Sequence, residues 1–318
     1  MKYGRHAGNG TWVIDRRMFL KSAVAVAAGP ALLSLSCVSN QQAGGRRPVR
    51  FGIVTDCHYA DAETMGTRFY RESLDKLAEC AARMNAEQVD FLFELGDFKD
   101  QGQPPVEAAT LSFVEQIEAV FQQFDGPMYH VLGNHDMDSI SKPQFLARVE
   151  NTGIDPQRSY YSFDVGGVHF IVLDANYKAN GADYDRGNFV WTDTNIPSHE
   201  LDWLGDDLAA TRGPAIVFVH QLLDGAGQDY VNNAADVRDV LRSSGKVLAV
   251  FQGHRHQGGY SAIEGIHYCT QKALVEGHGP DHNAYAIAEV RPDGEIVLTG
   301  YRQAVSRQLV DQRRVLAP

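Results

Sequence analysis

Asp56-Cys57-His58, Gly96-Asp97, Gly133-Asn134-His135-Asp136, His220 and Gly253-His254-Arg255-His256 are five short segments that each carry a metal-binding side chain. Together they supply two carboxylates, an amide and at least four imidazoles, a donor set that suits a pair of hard-to-borderline divalent ions. Alone, each residue would read as a turn former, a helix cap or a satisfied core histidine. Their shared position sets them apart, because each group directly follows a short, mainly apolar run. These runs are Phe51 to Thr55, Phe91 to Leu95, Met128 to Leu132, Ala215 to Val219 and Val247 to Gln252. Such runs, bounded by Gly and turn residues, predict buried strands. Ligands gather at the carboxyl ends of strands in α/β sheets, so the five segments are expected at one edge of one sheet.

Two ions about 3.5–4 Å apart suit the hydrolysis of a phosphodiester, because they generate hydroxide near neutral pH and clamp the phosphoryl oxygens. A bridging carboxylate holds such a pair together, and Asp97 is the candidate. Asp56 and His58 lie two apart, so a small kink lets both reach one ion. His254 and His256 share that spacing, so the two imidazoles can serve different ions. Cys57, between two ligands, alternates away from them and reads as a small buried hydrophobe.

The order of these blocks resembles the calcineurin-like metallophosphoesterases, whose pattern is D-x-H, G-D, G-N-H-D/E, H, G-H-x-H. All five blocks are present, and the resemblance runs from about Val49 to about Tyr301. It implies one ion on Asp56, His58, Asp97 and His256, and a second on Asp97, Asn134, His220 and His254. Asn134 would bind through its amide oxygen, which favours Mn²⁺ or Fe, with Zn²⁺ as a further option. In that family the His of the third block faces the substrate, so His135 would protonate the leaving oxygen. Asp136 would orient or charge it. The implied fold is a four-layer α/β/β/α sandwich of two mixed sheets flanked by helices.

Local text narrows the resemblance to the Mn²⁺-dependent ADP-ribose/CDP-alcohol diphosphatases. It comprises Tyr59-Ala60-Asp61, Gly66 to Leu74, Leu173-Asp174-Ala175-Asn176-Tyr177 and Gly253 to Tyr260. His58 departs from that subfamily, which usually has Gln there. Arg68 and Arg71, three apart on an expected helix, are candidates to hold a second phosphate. The long segment Asn176 to Pro197 carries Tyr177, Tyr184, Phe189 and Trp191, which offer stacking surfaces for a base or a satellite core; Tyr177 is taken as a substrate contact.

Residues 1 to 36 read as an address. Asp15-Arg16-Arg17-Met18-Phe19-Leu20-Lys21 resembles a bacterial twin-arginine (Tat) signal, and a weakly apolar stretch to Leu35 follows it. Membrane spans need about 20 strongly apolar residues. Cys37 is a candidate lipid acceptor, and Ser34-Leu35-Ser36 an alternative cleavage site. Residues 37–48 form a tether, and 49–318 the phosphoesterase domain. The expected location is the periplasm, or a membrane surface through a lipid on Cys37.

The net charge is −11, and the segment to Ser36 holds five basic and one acidic residue. The remainder therefore has 24 basic and 39 acidic groups, a net of −15. That surface disfavours a nucleic-acid polymer and leaves a small phosphate-bearing substrate. Helices are expected over Arg68 to Met84, Pro105 to Phe121, Leu201 to Thr211 and Ala234 to Arg242, with hairpins at Tyr160 to Leu173 and Tyr285 to Tyr301. The function these features favour is hydrolysis of diester or pyrophosphate bonds in small nucleotide-like molecules. Alternatives are a cyclic-nucleotide or glycerophosphodiester phosphodiesterase, a broad phosphomonoesterase, or a non-catalytic metal-binding lipoprotein.

Overall fold

The computed structural model describes residues 47–310. Twelve strands form two six-stranded mixed sheets. Sheet one runs β12(Arg307–Leu309), β11(Ile296–Arg302), β10(Ala284–Val290), β1(Val49–Val54), β2(Phe91–Glu94), β3(Met128–His130). Its β1–β2–β3 part is parallel, and the remainder antiparallel. Sheet two runs β4(Tyr161–Val165), β5(Val168–Val172), β6(Ala215–Phe218), β7(Val247–Gln252), β9(Ile266–Lys272), β8(Gln257–Ile263). Here β5, β6, β7 and β9 are parallel, and the two outer strands antiparallel.

Alternation along the strands builds three cores. Phe51, Phe91 and Phe93 of sheet one meet Phe170, Phe218 and Phe251 of sheet two. Phe51 stacks on Phe91 at 5.2 Å and meets Phe170, Phe218 and Phe251 edge-on. Truncating so well packed an aromatic costs about 3–5 kcal/mol. On the outer face of sheet one, α1(Ser73–Glu87) buries Leu77, Cys80, Ala81 and Met84 at helical spacing, beside α2(Glu107–Phe121). On the outer face of sheet two lie α4(Ser198–Ala210) and α5(Ala234–Ser244). The layers are therefore helix, sheet, sheet, helix, the expected sandwich.

Several boundaries differ from expectation. Arg68 is not helical: its backbone bridges to Met65 and Glu276, and Arg71 lies in a single 3₁₀ turn before α1. Tertiary pairing thus overrides the helical spacing. Pro105 precedes α2, whose N-cap is extended Val106. The hairpin β8–β9 and the short capped helix α3(Lys142–Leu146) were not anticipated. β8 has too few apolar residues and too much Gly for a strand signal.

Candidate metal centre

The five donor segments follow β1, β2, β3, β6 and β7. They do not share one sheet: three come from sheet one and two from sheet two, so the donors meet across the seam between the sheets. Asp56 Oδ1 is 3.7 Å from His58 Nε2 and 3.5 Å from His256 Nε2. Asp97 Oδ2 is 3.5 Å from His58 Nε2 and 3.2 Å from His220 Nε2, and Asp97 also groups with His254. Asp97 therefore belongs to both donor clusters. Ligand atoms about 2.1 Å from a shared ion lie about 3–3.4 Å apart, close to these spacings.

Each aspartate commits one oxygen to the protein. Asp56 Oδ2 accepts from Thr55 Oγ1 and the His254 N–H, and Asp97 Oδ1 accepts from the His135 N–H. Asp56 Oδ1, Asn134 Oδ1 and His220 Nε2 are buried with no hydrogen-bond partner. Buried polar atoms rarely stay unpaired, and His58 Nε2 faces His256 Nε2 at 3.2 Å. These atoms fit divalent metal ions. Outer partners aim the imidazoles, as second-shell groups do. His220 Nδ1 donates to the Leu95 carbonyl at 2.8 Å, His256 Nδ1 meets Glu276 Oε1 at 2.5 Å, and His58 Nδ1 faces Asp100 Oδ2 at 3.4 Å.

The backbone is bent to present these groups. Asp56, His58, Asp97 and His254 have φ of 51°, 46°, 54° and 65°, rare for non-glycine residues. Gly133 permits the closest approach of two loops, because a Cβ there would collide with the Asp97 backbone and carboxylate.

Without ions the charges are uneven. Burial opposes charging His220, but Asp97 and Asp56 outweigh it and raise its pKa to about 10. Burial and the neighbouring His220 hold His254 down at about 4. Burial works against the Asp97 anion, yet His220 and His135 keep its pKa well below the usual range.

His135 is the histidine outside the expected ligand set, although a nitrogen of its ring lies within 4.8 Å of donor atoms of His58 and Asp97. Its ring meets His58 edge-on at 4.8 Å and Phe189 at 5.7 Å, and Nδ1 is 3.5 Å from Asp100 Oδ1. Burial disfavours its charged form, but Asp97 and Asp100 lift its pKa above the ordinary imidazole range. Asp136 does not orient it. The buried Asp136 carboxylate instead accepts the N–H groups of Gly133, Asp97 and Phe98, tying the second block to the third. The carboxylate facing His135 is that of Asp100, which lies near His58 as well.

Arg68, Asn134, His135, Trp191 and Asp229 line a pocket of about 300 Å³ with Asp97, His254 and His256. Arg71 does not line it: its guanidinium pairs with Asp61 at 2.5 Å and Glu63 at 3.0 Å. Nor does Tyr177, which is buried with Lys142 Nζ 4.0 Å over its ring. The long segment is divided: Tyr177 and Tyr184 are core, whereas Trp191 and Phe189 reach the site. Asn176 braces it from below, donating to the Leu132 carbonyl and accepting from Gln221 beside His220, each at 2.7 Å. Asp100, three residues past Asp97 in one tight turn, was within reach of sequence reasoning; Glu276 and Asn176 had no such signal. Leader residues 1–36 and Cys37 lie outside the described residues.

The profile of a family described as calcineurin-like phosphoesterase matches residues 49–258. A rice (Oryza sativa subsp. japonica) protein named manganese-dependent ADP-ribose/CDP-alcohol diphosphatase is 28% identical over 304 residues, covering 81% of this chain and 93% of its own. The Bos taurus protein of the same name is 25% identical, covering 83% and 94%. A dimetal phosphatase of Danio rerio has the same fold, with a TM-score of 0.72 at 21% identity, covering 83% of this chain and 99% of its own.

Proposed function

The chain belongs to the calcineurin-like phosphoesterase family, and from that membership we propose a two-ion, manganese-using hydrolase that cleaves phosphodiester or pyrophosphate bonds of small nucleotide-like molecules. It is a metal-dependent phosphoester hydrolase, as the family implies. The two-ion reading rests on Asp97 Oδ2, which lies 3.5 Å from His58 Nε2 on one side and 3.2 Å from His220 Nε2 on the other. One ion would lie on Asp56, His58, Asp97 and His256, the other on Asp97, Asn134, His220 and His254. Bound divalent ions supply Lewis-acid charge to the phosphoryl oxygens and acidify water near neutral pH.

The chain's own groups do the rest. His135, held by Asp100 and flanked by Phe189, donates a proton to the leaving oxygen. Asp136 keeps the Asp97 and Gly133 turns in register, so the carboxylate and His135 share one frame. Arg68 faces the same pocket and suits the phosphate that is not attacked; Trp191 forms an apolar wall beside His254. The names of the rice and bovine relatives support the ADP-ribose/CDP-alcohol class.

A Mn²⁺-supplemented panel of ADP-ribose, CDP-choline, cyclic AMP, glycerophosphodiesters and p-nitrophenyl esters tests this reading. Preference for the first two is expected; preference for cyclic AMP or a monoester would replace it. We propose in addition that the chain is exported by the Tat route and retained by a lipid on Cys37 or released after Ser36. Arg16→Lys with Arg17→Lys should hold it in the cytoplasm, and Cys37→Ala should free a lipidated form from the membrane. Normal export of the double variant would remove the Tat assignment.

A further inference from the structure

We propose that this chain carries a second oxyanion site, where the β8–β9 hairpin meets the β11–β12 edge of sheet one, built for the phosphate group of inorganic phosphate or a phosphomonoester. The pocket there measures about 300 Å³ and shares no lining residue with the metal pocket. The inference does not depend on the reaction at the ions.

Two basic residues line this pocket, Arg307 from β12 and Lys272 from the end of β9. Among the described residues neither has a carboxylate partner. Arginines on neighbouring strands and turns are paired: Arg291 with Glu289 and Glu295, and Arg302 with Glu79 and Asp281. Arg307 is held instead by an aromatic ring, its guanidinium carbon 3.9 Å over the Tyr260 centroid. Stacking uses the guanidinium face and leaves its N–H donors unspent. Tyr260 is fixed in turn by its hydroxyl on His267 Nδ1 at 3.0 Å. One donor fork is therefore positioned with no acceptor supplied by the described residues.

The floor is kept open by backbone. Gly258 has φ 72°, and a Cβ there would lie 3.0 Å from Lys272 Cγ and 3.2 Å from the Thr270 carbonyl, crowding the Lys272 stem. A planar fork and a mobile ammonium together suit a tetrahedral oxyanion with two or more accepting oxygens. Two monocations balance the charge of a phosphate dianion.

The test uses the full metal-loaded protein. Crystals soaked in tungstate should show a tungsten anomalous peak between Arg307 and Lys272, separate from any peak at the metal centre. Arg307→Gln with Lys272→Gln should erase the first peak only. In solution, orthophosphate and AMP are titrated calorimetrically into both proteins. The wild type should bind one more equivalent than the double variant, and that binding should weaken as salt screens it. If AMP fills the extra site at least ten-fold more tightly than orthophosphate, the ligand is the ester; equal affinity assigns it to phosphate itself. Turnover of p-nitrophenyl esters in phosphate-free buffer and the thermal midpoint should match between the proteins, which excludes general damage. No peak in the pocket, a peak that survives the double substitution, or an adventitious ion only, seen in soaked crystals with equal stoichiometry in solution, would each overturn the proposal.

Discussion

Two buried collections of carboxylate and imidazole lie close together, one between sheet one and α2 and the other at the seam between the sheets, and their donors are arranged differently. In the first, Glu94 of β2, His130 of β3 and Glu118 of α2 pair imidazole with carboxylate: His130 Nε2 is 3.1 Å from Glu118 Oε2, and Nδ1 is 3.6 Å from Glu94 Oε2. Each ring nitrogen faces one carboxyl group. In the second, just past the strand ends, nitrogen faces nitrogen and several oxygens converge on shared points. The first cluster closes its charges internally, with His130 raised to about 9 against the opposing effect of burial, chiefly by Glu118. Burial raises Glu94 to about 8. The second cluster gathers more donors around shared points than a single ion pair uses. Residue types alone do not make a metal site; it takes several donors converging on shared points, as Asp56, His58 and His256 do, and Asp97, His220 and His254.

The largest break in this comparison comes from the shared donor. Asp97→Asn should remove activity and lower metal content, because a neutral amide bridges two cations poorly. Elemental analysis showing full occupancy together with normal turnover would end the bridging role. His135→Ala should keep its metals and lose about 10²–10⁴ in turnover, less for substrates with good leaving groups. A variant that instead lost metal would move His135 among the ligands. Asp100→Asn should resemble it in milder form, about 10–100-fold, since it acts through His135 and His58.

A smaller effect separates the two arginines. Arg68→Ala should cost about 1.5–3 kcal/mol on ADP-ribose or CDP-choline and nearly spare bis-p-nitrophenyl phosphate, which lacks a second phosphate. Arg71→Ala should change neither, since its charge is spent on Asp61 and Glu63. Equal losses on both substrate types for Arg68→Ala would return it to a structural role.

The smallest effect on turnover belongs to the closed cluster, and it appears as stability. Both His130 and Glu94 keep protons in the folded chain at pH values where the unfolded chain has lost them. Their stabilisation is therefore complete below the unfolded pKa values and is lost as pH rises through about 8–9. The thermal midpoint of the metal-loaded protein should fall between pH 7 and 9.5. His130→Gln should flatten that fall with metal content unchanged. An equal slope in the variant would show that the trio carries no such linkage.

The donors themselves were legible because each ends an apolar run, and the sandwich because strand and helix periods are clean. What failed depended on approach between distant segments. Arg68 reads as helical until Glu276 pairs with its backbone. Tyr177 reads as a loop aromatic until Lys142 caps it. Asp136 adjoins His135 in sequence, but its carboxylate is drawn to three backbone N–H groups, and Asp100 arrives from the previous block. The second sheet's share of the donors was equally invisible, because a run of apolar residues does not say which sheet it joins.

That division of donors has a consequence for assembly. β1, β2 and β3 bring Asp56, His58, Asp97 and Asn134, while β6 and β7 bring His220, His254 and His256, more than eighty residues later in the chain. Neither half owns a full coordination shell, so a chain that has formed only one sheet has no place for tight chelation. With the proposed ligands, ion uptake would be a late event that reports completed assembly, and bound ions would rivet the two sheets at their open end. Because a ligand held only by the folded state adds its binding energy to stability, withdrawing the ions should loosen that end first, in the amides that follow β1 and β7.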